Sequence, residues 1–291
     1  MLRHFTSPLS WNRRVETASV RSFSGRDASF QASGVRRVPG KTLNFLSYNI
    51  QVGINSRAYR HYLTRSWQHF LPHPERQANL DRIAALLSGF DVVALQEADG
   101  GSIRTNHLNQ VEYLARVAGF PHWYQQLNRN LGKFAQHGNG VLSRIQPQLV
   151  EDHKLPGLVP GRGAILMKFG RKEAPLVLVV LHLSLGRRAR ENQLCYVREL
   201  ISDYPHVVVM GDLNSGVERL LKLAPVRDAN LKFAQTIDNT YPSWRPIYNY
   251  DHILVSPDLT IRRAEVLPYL VSDHLPVAIE VDLPRQLAPI H

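Results

Sequence analysis

Residues 207–215 read VVVMGDLNS. The first four residues are apolar, which predicts a short β-strand buried on both faces. The strand ends at Gly211, and the carboxylate of Asp212 and the carboxamide of Asn214 follow at once. Such side chains suit core packing poorly, whereas the strand ends of α/β sheets are where ligands commonly bind. On this segment alone, a polar turn after a core strand explains the residues equally well.

Other predicted strands also present polar side chains at their ends. Six such residues stand directly after or before an apolar run: Asn49, Glu97, His182, Asp251, Asp273 and His274. A seventh, Asn139, lies between two glycines at the start of the short strand in residues 137–144 (HGNGVLSR). Each residue alone could cap a turn or be a hydrogen-bonded core histidine. Their recurrence at strand ends predicts that they meet at one site.

The alternation of apolar runs and helical periods indicates the fold class. Some predicted strands are joined by short links and others by helices, which favours mixed sheets. The strands are also too numerous for one small open sheet. The predicted fold is therefore α/β, with two mixed β-sheets packed face to face and flanked by helices.

The chain has 291 residues, with no repeat of fixed period and no second composition regime across its folded part. We expect one domain at 41–283, preceded by a basic arm (1–40) and followed by a short tail (284–291). The arm holds seven arginines and only two acids, Glu16 and Asp27, without a strand or helix period, which predicts disorder. The same composition is typical of mitochondrial transit peptides.

The formal net charge of +11 and the pI near 10.0 favour an anionic partner: nucleic acid, anionic lipid or a phosphorylated small molecule. The single cysteine, Cys195, excludes an internal disulfide or a thiolate metal cluster. No apolar run approaches the roughly 20 residues that span a bilayer. We expect a cytoplasmic monomer, or a mitochondrial protein if the arm is a transit peptide.

Residues 57–76, with Tyr59, Tyr62 and Trp67, are the candidate substrate-contacting loop.

The residue types at the strand ends indicate the chemistry. Carboxylate and amide oxygens without cysteine suit Mg²⁺ or Mn²⁺ better than zinc or copper. Two histidines beside carboxylates suit proton transfer near neutral pH. Amide side chains can hold phosphoryl oxygens without adding negative charge. Together these residues predict metal-assisted phosphoester hydrolysis.

Seven motifs in chain order carry a family resemblance: LSYNIQVG (46–53), VVALQEAD (92–99), GNGVLSR (138–144), VVLHLSLG (179–186), VVVMGDLNS (207–215), YDHILVS (250–256) and SDHLPV (272–277). In this order they resemble the endonuclease/exonuclease/phosphatase superfamily. The GDLN and SDH motifs with LQE upstream form a specific combination, whereas any one of them alone is weak. The resemblance implies a four-layer α/β sandwich.

The resemblance also implies roles for the site residues. Glu97 would be the principal metal ligand, with Asn49 and Asp273 completing the metal site. Asp212 would position and deprotonate the attacking water, and Asn214 would hold a phosphate oxygen.

The remaining implied roles concern proton transfer and phosphate contact. His274, oriented by Asp251, would contact the scissile phosphate or act as an acid or base. His182 would be a second phosphate contact or the leaving-group acid. Asn139 would be a polar residue at the edge of the site. Because Asp273 and His274 are adjacent, an extended backbone would point their side chains apart, so His274 needs a partner from elsewhere.

Two departures from the family's abasic-site endonucleases bear on the substrate. Gln51 stands where those enzymes carry an acid, and the segment with His182, Leu183 and Arg190 instead resembles a branch with sphingomyelinase-like members. Arg190 is therefore a candidate substrate-binding residue. Nucleic acid and lipid or inositol phosphates both remain open as substrates. The alternative of a different class is an inactive relative that only binds polyanions, and the presence of Glu97, Asp212 and His274 disfavours it.

Overall fold

The computed structural model describes residues 16–17, 21–22, 42–54, 74–130, 136–157, 161–234, 238–284 and 287. The described residues form two seven-stranded β-sheets and five α-helices. Most of the predicted arm, of the 57–76 loop and of the tail lies outside them. None of the described helices is long and apolar enough to cross a bilayer.

The first sheet contains the strand of the VVVMGD segment. Its members, in spatial order, are β1 (Glu16–Thr17), β7 (Leu149–Lys154), β8 (Gly163–Phe169), β9 (Leu176–His182), β10 (His206–Asp212), β12 (Asp251–Val255) and β11 (Lys232–Phe233). The central strands β9 and β10 are parallel, and every other neighbouring pair is antiparallel. The sheet is therefore mixed, as predicted.

The second sheet has the same plan. Its members, in spatial order, are β13 (Thr260–Val266), β14 (Val277–Asp282), β3 (Thr42–Asn49), β4 (Val92–Asp99), β6 (Gln136–Ser143), β5 (His122–Asn130) and β2 (Arg21–Ser22). Here β3 and β4 form the parallel pair, and all other neighbours are antiparallel. Each sheet thus has a parallel pair near its centre.

Helices cover the outer faces of both sheets. Their bounds are α1 (Pro74–Leu87), α2 (Gln110–Ala118), α3 (Arg187–Ile201), α4 (Val217–Leu220) and α5 (Ala224–Arg227), with 3₁₀ turns at Gln51–Gly53 and Ile103–Thr105. The apolar faces of α1 and α2 pack on the second sheet, and that of α3 packs on the first. The order helix, sheet, sheet, helix is the predicted four-layer α/β sandwich.

Strand β10 shows why its sequence is apolar throughout. Val208 and Met210 point into the core between the two sheets. Val207 and Val209 point the other way, into the core under α3. Because successive side chains of a strand alternate between faces and both faces are covered, every position is buried. Burying each such side chain contributes about 1.5–3 kcal/mol.

Helix α2 begins and ends where its sequence indicates. The side chain of Asn109 accepts a hydrogen bond from the Glu112 amide at 3.1 Å, which caps the helix. Gly119 ends it with a left-handed φ of 71°, a conformation that costs glycine little. Apolar residues at helical spacing, such as Leu80, Ile83 and Leu87 in α1, form the buried faces of the longer helices.

One prediction about elements was wrong, and several strands were not predicted. Strand β4 extends to Asp99, so Glu97 lies inside the strand at a bulge and not at its end. Strands β5, β7 and β13 were not predicted, because their polar side chains obscure the apolar period. Within the segment predicted to be disordered, the four residues of β1 and β2 pair with the edges of the two sheets.

Candidate active site

The register of the first sheet places three of the predicted residues side by side. Asp212, the last residue of β10, pairs with His182 at the end of β9. On the other side it pairs with Asp251, the first residue of β12. In the second sheet, Asn49 at the end of β3 pairs with Gln96 in β4. Because the two sheets pack face to face, both sets of strand ends meet at one edge of the sandwich.

Gly211 allows β9 and β10 to lie close together beneath the site. A Cβ on this residue would lie 1.9 Å from the main-chain oxygen of Leu181. Its φ of 149° is also one that other residues rarely adopt. The glycine that ends the VVVM run is therefore required by the backbone that carries Asp212.

The side chain of Asp212 lies at the centre of the site. Its Oδ2 accepts a hydrogen bond from Nδ2 of Asn49 at 3.1 Å. The same oxygen lies 3.5 Å from Nε2 of His182 and 3.9 Å from Nε2 of His274. Its Oδ1 accepts the main-chain N–H of Asn214 at 2.8 Å. Residues from four separate segments thus surround one carboxylate that is 2% exposed.

His274 is held by Asp251, the partner that we predicted. Nδ1 of His274 lies 2.7 Å from Oδ2 of Asp251, and both side chains are buried. The hydroxyl of Thr240 donates to the same carboxylate oxygen at 2.5 Å. The expected extended backbone at Asp273 and His274 is wrong, since both lie in a bend. The pairing arises because the bend turns the imidazole toward β12.

Folding shifts the pKa values of His274 and His182 in opposite directions. Burial alone would lower the pKa of His274, but the carboxylates of Asp251 and Asp212 outweigh it and raise that pKa well above its ordinary 6.5. Burial lowers the pKa of His182 well below 6.5, and the positive charges of Arg162 and His274 lower it further. At neutral pH, His274 is therefore an imidazolium and His182 is neutral.

Asp212 is also shifted. Burial, followed by repulsion from Asp251, raises its pKa from 3.8 to about 7, although the nearby His274 partly opposes the rise. A carboxylate with this pKa is a stronger base than an ordinary aspartate and still ionises near neutral pH. The site therefore holds a carboxylate base beside an imidazolium acid.

Glu97 reaches the site from a bulge in β4. The bulge lies between Leu95 and Ala98, and Glu97 itself has a left-handed φ of 56°. Such a φ is unusual for a side chain that is not asparagine, aspartate or glycine, and it redirects the glutamate from the sheet into a cleft. Burial and the neighbouring carboxylate of Asp273 raise its pKa, while a hydrogen bond from Asn49 lowers it.

Two groups of residues could hold a cation. In the described chain, donor atoms of Asp212, Asp251 and His274 lie within 4.8 Å of one another. A cation there would have to displace the Asp251–His274 hydrogen bond and approach an imidazolium. Glu97 and Asp273 instead bring two carboxylates together beside the amide of Asn49, and a divalent cation would relieve their repulsion. The residues therefore fit a hard divalent cation on the Glu97 side.

Asn49 is oriented by its own turn. Its Oδ1 accepts the main-chain N–H of Gln51 at 3.2 Å. Gln51, Val52 and Gly53 all have left-handed φ values, of 43°, 55° and 70°. This conformation is strained for the β-branched Val52. The strain is balanced by tertiary contacts, including the hydrogen bond from the Gln110 side chain to the Val52 carbonyl at 2.8 Å.

Three other predicted residues lie at the margins. The Asn214 amide donates to the Leu183 carbonyl at 2.9 Å, and that of Asn139 donates to the Gly163 carbonyl at 3.1 Å. One guanidinium nitrogen of Arg190 donates to the main-chain oxygens of Ser184, Leu185 and Asn214. Arg190 thus orders the loops after β9 and β10, and its role in binding substrate stays a prediction.

A cleft of about 1170 Å³ opens from Glu97 and His182. Arg162, Arg187 and Arg188 line it, and Glu97 is its one acid among the described residues. Such a lining suits an anionic substrate. Sequence reasoning did not single out these three arginines as site residues. In the sequence, these arginines appear only as basic residues within or directly after glycine-containing loops. Because such residues are also common on ordinary protein surfaces, the pattern does not distinguish a substrate cleft.

The comparisons with known proteins agree with this geometry. Residues 46–274 match the model of the Endonuclease/Exonuclease/phosphatase family. No curated protein sequence matches the chain.

Solved structures share the fold. An endonuclease/exonuclease/phosphatase from Beutenbergia cavernae is 20% identical, with a TM-score of 0.65 over 84% of this chain and 72% of that one. A mannosyl-6-phosphatase of Bacteroides thetaiotaomicron is 18% identical, with a TM-score of 0.61 over 82% and 99%. D. rerio TDP2 complexed with a single strand DNA product is 17% identical, with a TM-score of 0.59 over 83% and 99%. At these identities the likeness establishes the fold alone.

Proposed function

Because the chain belongs to the endonuclease/exonuclease/phosphatase family, we propose that it is a divalent-metal-dependent phosphoesterase that hydrolyses phosphodiester bonds. Members of this family hydrolyse phosphate esters. Phosphomonoesters are a second substrate class that the same chemistry would serve. The neighbouring structures include a mannosyl-6-phosphatase and a TDP2 with single strand DNA product, so the fold accommodates very different esters.

One observation carries the proposal. Oδ2 of Asp212 is buried and lies within 3.9 Å of side-chain nitrogens of Asn49, His182 and His274. Holding this carboxylate at the site costs folding free energy, since burial and repulsion from Asp251 raise its pKa to about 7. Groups with shifted proton affinity, converging beside a basic cleft, are typical of catalytic sites.

Asp212 and the histidines would share the proton transfers. Asp212 would accept a proton from the attacking water. The products, an alcohol and a phosphomonoester, require a proton on the leaving oxygen. His274 is the better donor, because it is charged at neutral pH whereas His182 is neutral. The neutral His182 would use its ring N–H to hold a phosphoryl oxygen.

Asp251 would position His274 by accepting its Nδ1–H, which turns Nε2 toward Asp212 and the substrate. Thr240 would in turn hold Asp251 through its hydroxyl. Glu97, Asp273 and Asn49 would hold Mg²⁺ or Mn²⁺, which would supply positive charge to the phosphoryl oxygens. Asn214 remains a candidate contact for a phosphate oxygen.

Metal removal tests the proposal. The full chain should hydrolyse bis(p-nitrophenyl) phosphate with Mg²⁺ or Mn²⁺ and lose the activity in EDTA. Glu97→Gln should weaken Mg²⁺ binding in calorimetry, because one carboxylate ligand is lost. Glu173→Gln is the matched control, since Glu173 is exposed between β8 and β9 at the end away from the site. Undiminished turnover in excess chelator would disprove the metal requirement.

The substrate class needs a separate measurement. Plasmid DNA, single-stranded RNA, sphingomyelin and inositol phosphates should be compared under the same conditions. Turnover of any of them would exclude an inactive, polyanion-binding relative.

A further inference from the structure

A row of three tyrosine rings leads away from His274. The ring of Tyr241 lies 4.7 Å from that of His274, centroid to centroid. Tyr241 stacks on Tyr250 at 5.6 Å, and Tyr250 stacks on Tyr248 at 5.2 Å. The last two rings are almost parallel, with planes 8° apart. The mechanism proposed above uses none of these tyrosines.

Main-chain hydrogen bonds hold the backbone segment that carries the row. Tyr241 and Tyr248 exchange N–H···O bonds of 2.9 Å across a short hairpin. The Ser243 N–H donates to the Asp273 carbonyl at 2.7 Å, and the Leu275 N–H donates to the Thr240 carbonyl at 2.8 Å. The hairpin is therefore tied to both sides of His274, and the backbone that carries the rings is anchored beside the site.

The end of the row is open to solvent. Tyr248 is 47% exposed although one face of its ring lies on Tyr250. Its neighbour Ile247 is 48% exposed. Burial raises the pKa of Tyr250, and the exposed guanidinium of Arg219 lies close enough to oppose that rise. A flat aromatic surface, an apolar neighbour and a cation thus stand together at the end of the row that is farther from His274.

We propose that Tyr248 is a stacking platform for a nucleobase of a single-stranded nucleic acid whose phosphate binds at His274. A planar base would continue the parallel stack with its whole face, as bases do on the aromatic side chains of proteins that bind single strands. Single-stranded substrate is required because a duplex covers both faces of each base. The net charge of +11 and Arg219 complement the phosphates of such a strand. The proposal rests on the hydrolase proposed above and names its substrate class.

Binding of two matched oligonucleotides tests the platform. One is a labelled single-stranded DNA, and the other has the same number of phosphates but abasic spacers in place of nucleotides. Anisotropy in EDTA should show that the full chain prefers the strand with bases. Tyr248→Ala should weaken binding of that strand by about 5- to 150-fold and leave the abasic strand unchanged. Tyr248→Phe should bind as the wild type does, and Tyr248→Leu as Tyr248→Ala does.

Tyr204→Ala is the control, because Tyr204 precedes β10 at the end opposite Asp212. It should leave the preference for bases intact. Equal losses for both strands in Tyr248→Ala, or tight binding of sphingomyelin vesicles with no preference for bases, would overturn the platform. Turnover of bis(p-nitrophenyl) phosphate with Mg²⁺, measured alongside, tests the hydrolase separately. Turnover without base preference rejects the platform alone, and base preference without turnover rejects the hydrolase alone.

Discussion

The Asp251–His274 pair should behave as one catalytic unit. Nδ1 of His274 lies 2.7 Å from Oδ2 of Asp251 and both side chains are buried, so water cannot replace either group as the other's hydrogen-bond partner. His274→Ala removes the acid, and we expect kcat to fall by about 10²- to 10⁴-fold. Asp251→Asn should cause a similar loss, because the imidazole loses both its orientation and its charge support.

The double variant, Asp251→Asn with His274→Ala, shows whether the two residues act as one unit or independently. If the pair acts together, the double variant should be little worse than either single one. The coupling free energy is then about 3–5 kcal/mol, the value of one such loss at about 1.4 kcal/mol per tenfold.

The assay is kcat for bis(p-nitrophenyl) phosphate at saturating Mg²⁺. The chain offers a matched control in His206 and Asp258, a second hydrogen-bonded histidine–aspartate pair at the opposite end of β10. His206→Ala should lower stability but leave kcat unchanged. Losses that multiply in the Asp251→Asn, His274→Ala double variant would refute the pairing and make Asp251 a candidate metal ligand.

Stability gives a second measure of the same pair. A histidine whose pKa is raised on folding stabilises the protein fully below its unfolded value of 6.5, and this contribution is lost as pH rises through the raised value. In EDTA, the difference in unfolding free energy between the wild type and Asp251→Asn should therefore be largest below pH 6.5 and smaller in alkali. A difference that grows with pH would contradict this account.

Two further predictions concern the rest of the chain. Deleting residues 1–40 removes β1 and β2, which are two residues long and pair only at the sheet edges. We therefore expect the shortened chain to fold and to keep its kcat for bis(p-nitrophenyl) phosphate. An insoluble or inactive product would show that the segment is structural. His252 donates its Nε2–H to the Ser215 carbonyl, and burial lowers its pKa. Because the unfolded chain then binds a proton more readily than the folded one, the free energy of unfolding should fall as pH drops below 6.5, by up to about 1.4 kcal/mol per pH unit. His252→Gln should make this slope shallower in urea unfolding, and an unchanged slope would contradict the assignment.

Much of the fold followed from local patterns. The continuous apolar run of β10 predicted a strand buried on both faces, and β10 is buried on both faces. Helices α1 and α2 followed from apolar positions repeating every three to four residues. Strands β5, β7 and β13 could not be predicted in this way, because polar side chains interrupt the apolar pattern in each of them. Most of the arm and of the 57–76 loop stays a prediction.

The candidate site was partly readable in the same way. The residue types, and the resemblance that their motifs carry, named Asn49, Glu97, Asp212 and His274 together. Their catalytic and metal-binding roles stay predictions. Glu97 was expected after a strand, but it comes from a bulge inside one, which apolar periodicity does not show. The hydrogen bonds of Arg190 to loop carbonyls could not be predicted either, since its direction depends on where α3 packs.

The sequence by itself determined which polar side chains stand at the ends of buried strands, because strand period and turn residues are local properties of the chain. Only the tertiary structure decided which of those ends meet. The contacts around Asp212 join residues from separate strands and both sheets, and one residue of slip in the register of β9, β10 or β12 would move its partners to the opposite face. The proton affinities were likewise decided by folding. Burial and nonlocal charges raise the pKa of His274 and lower that of His182, and neither cause exists until the sheets have packed.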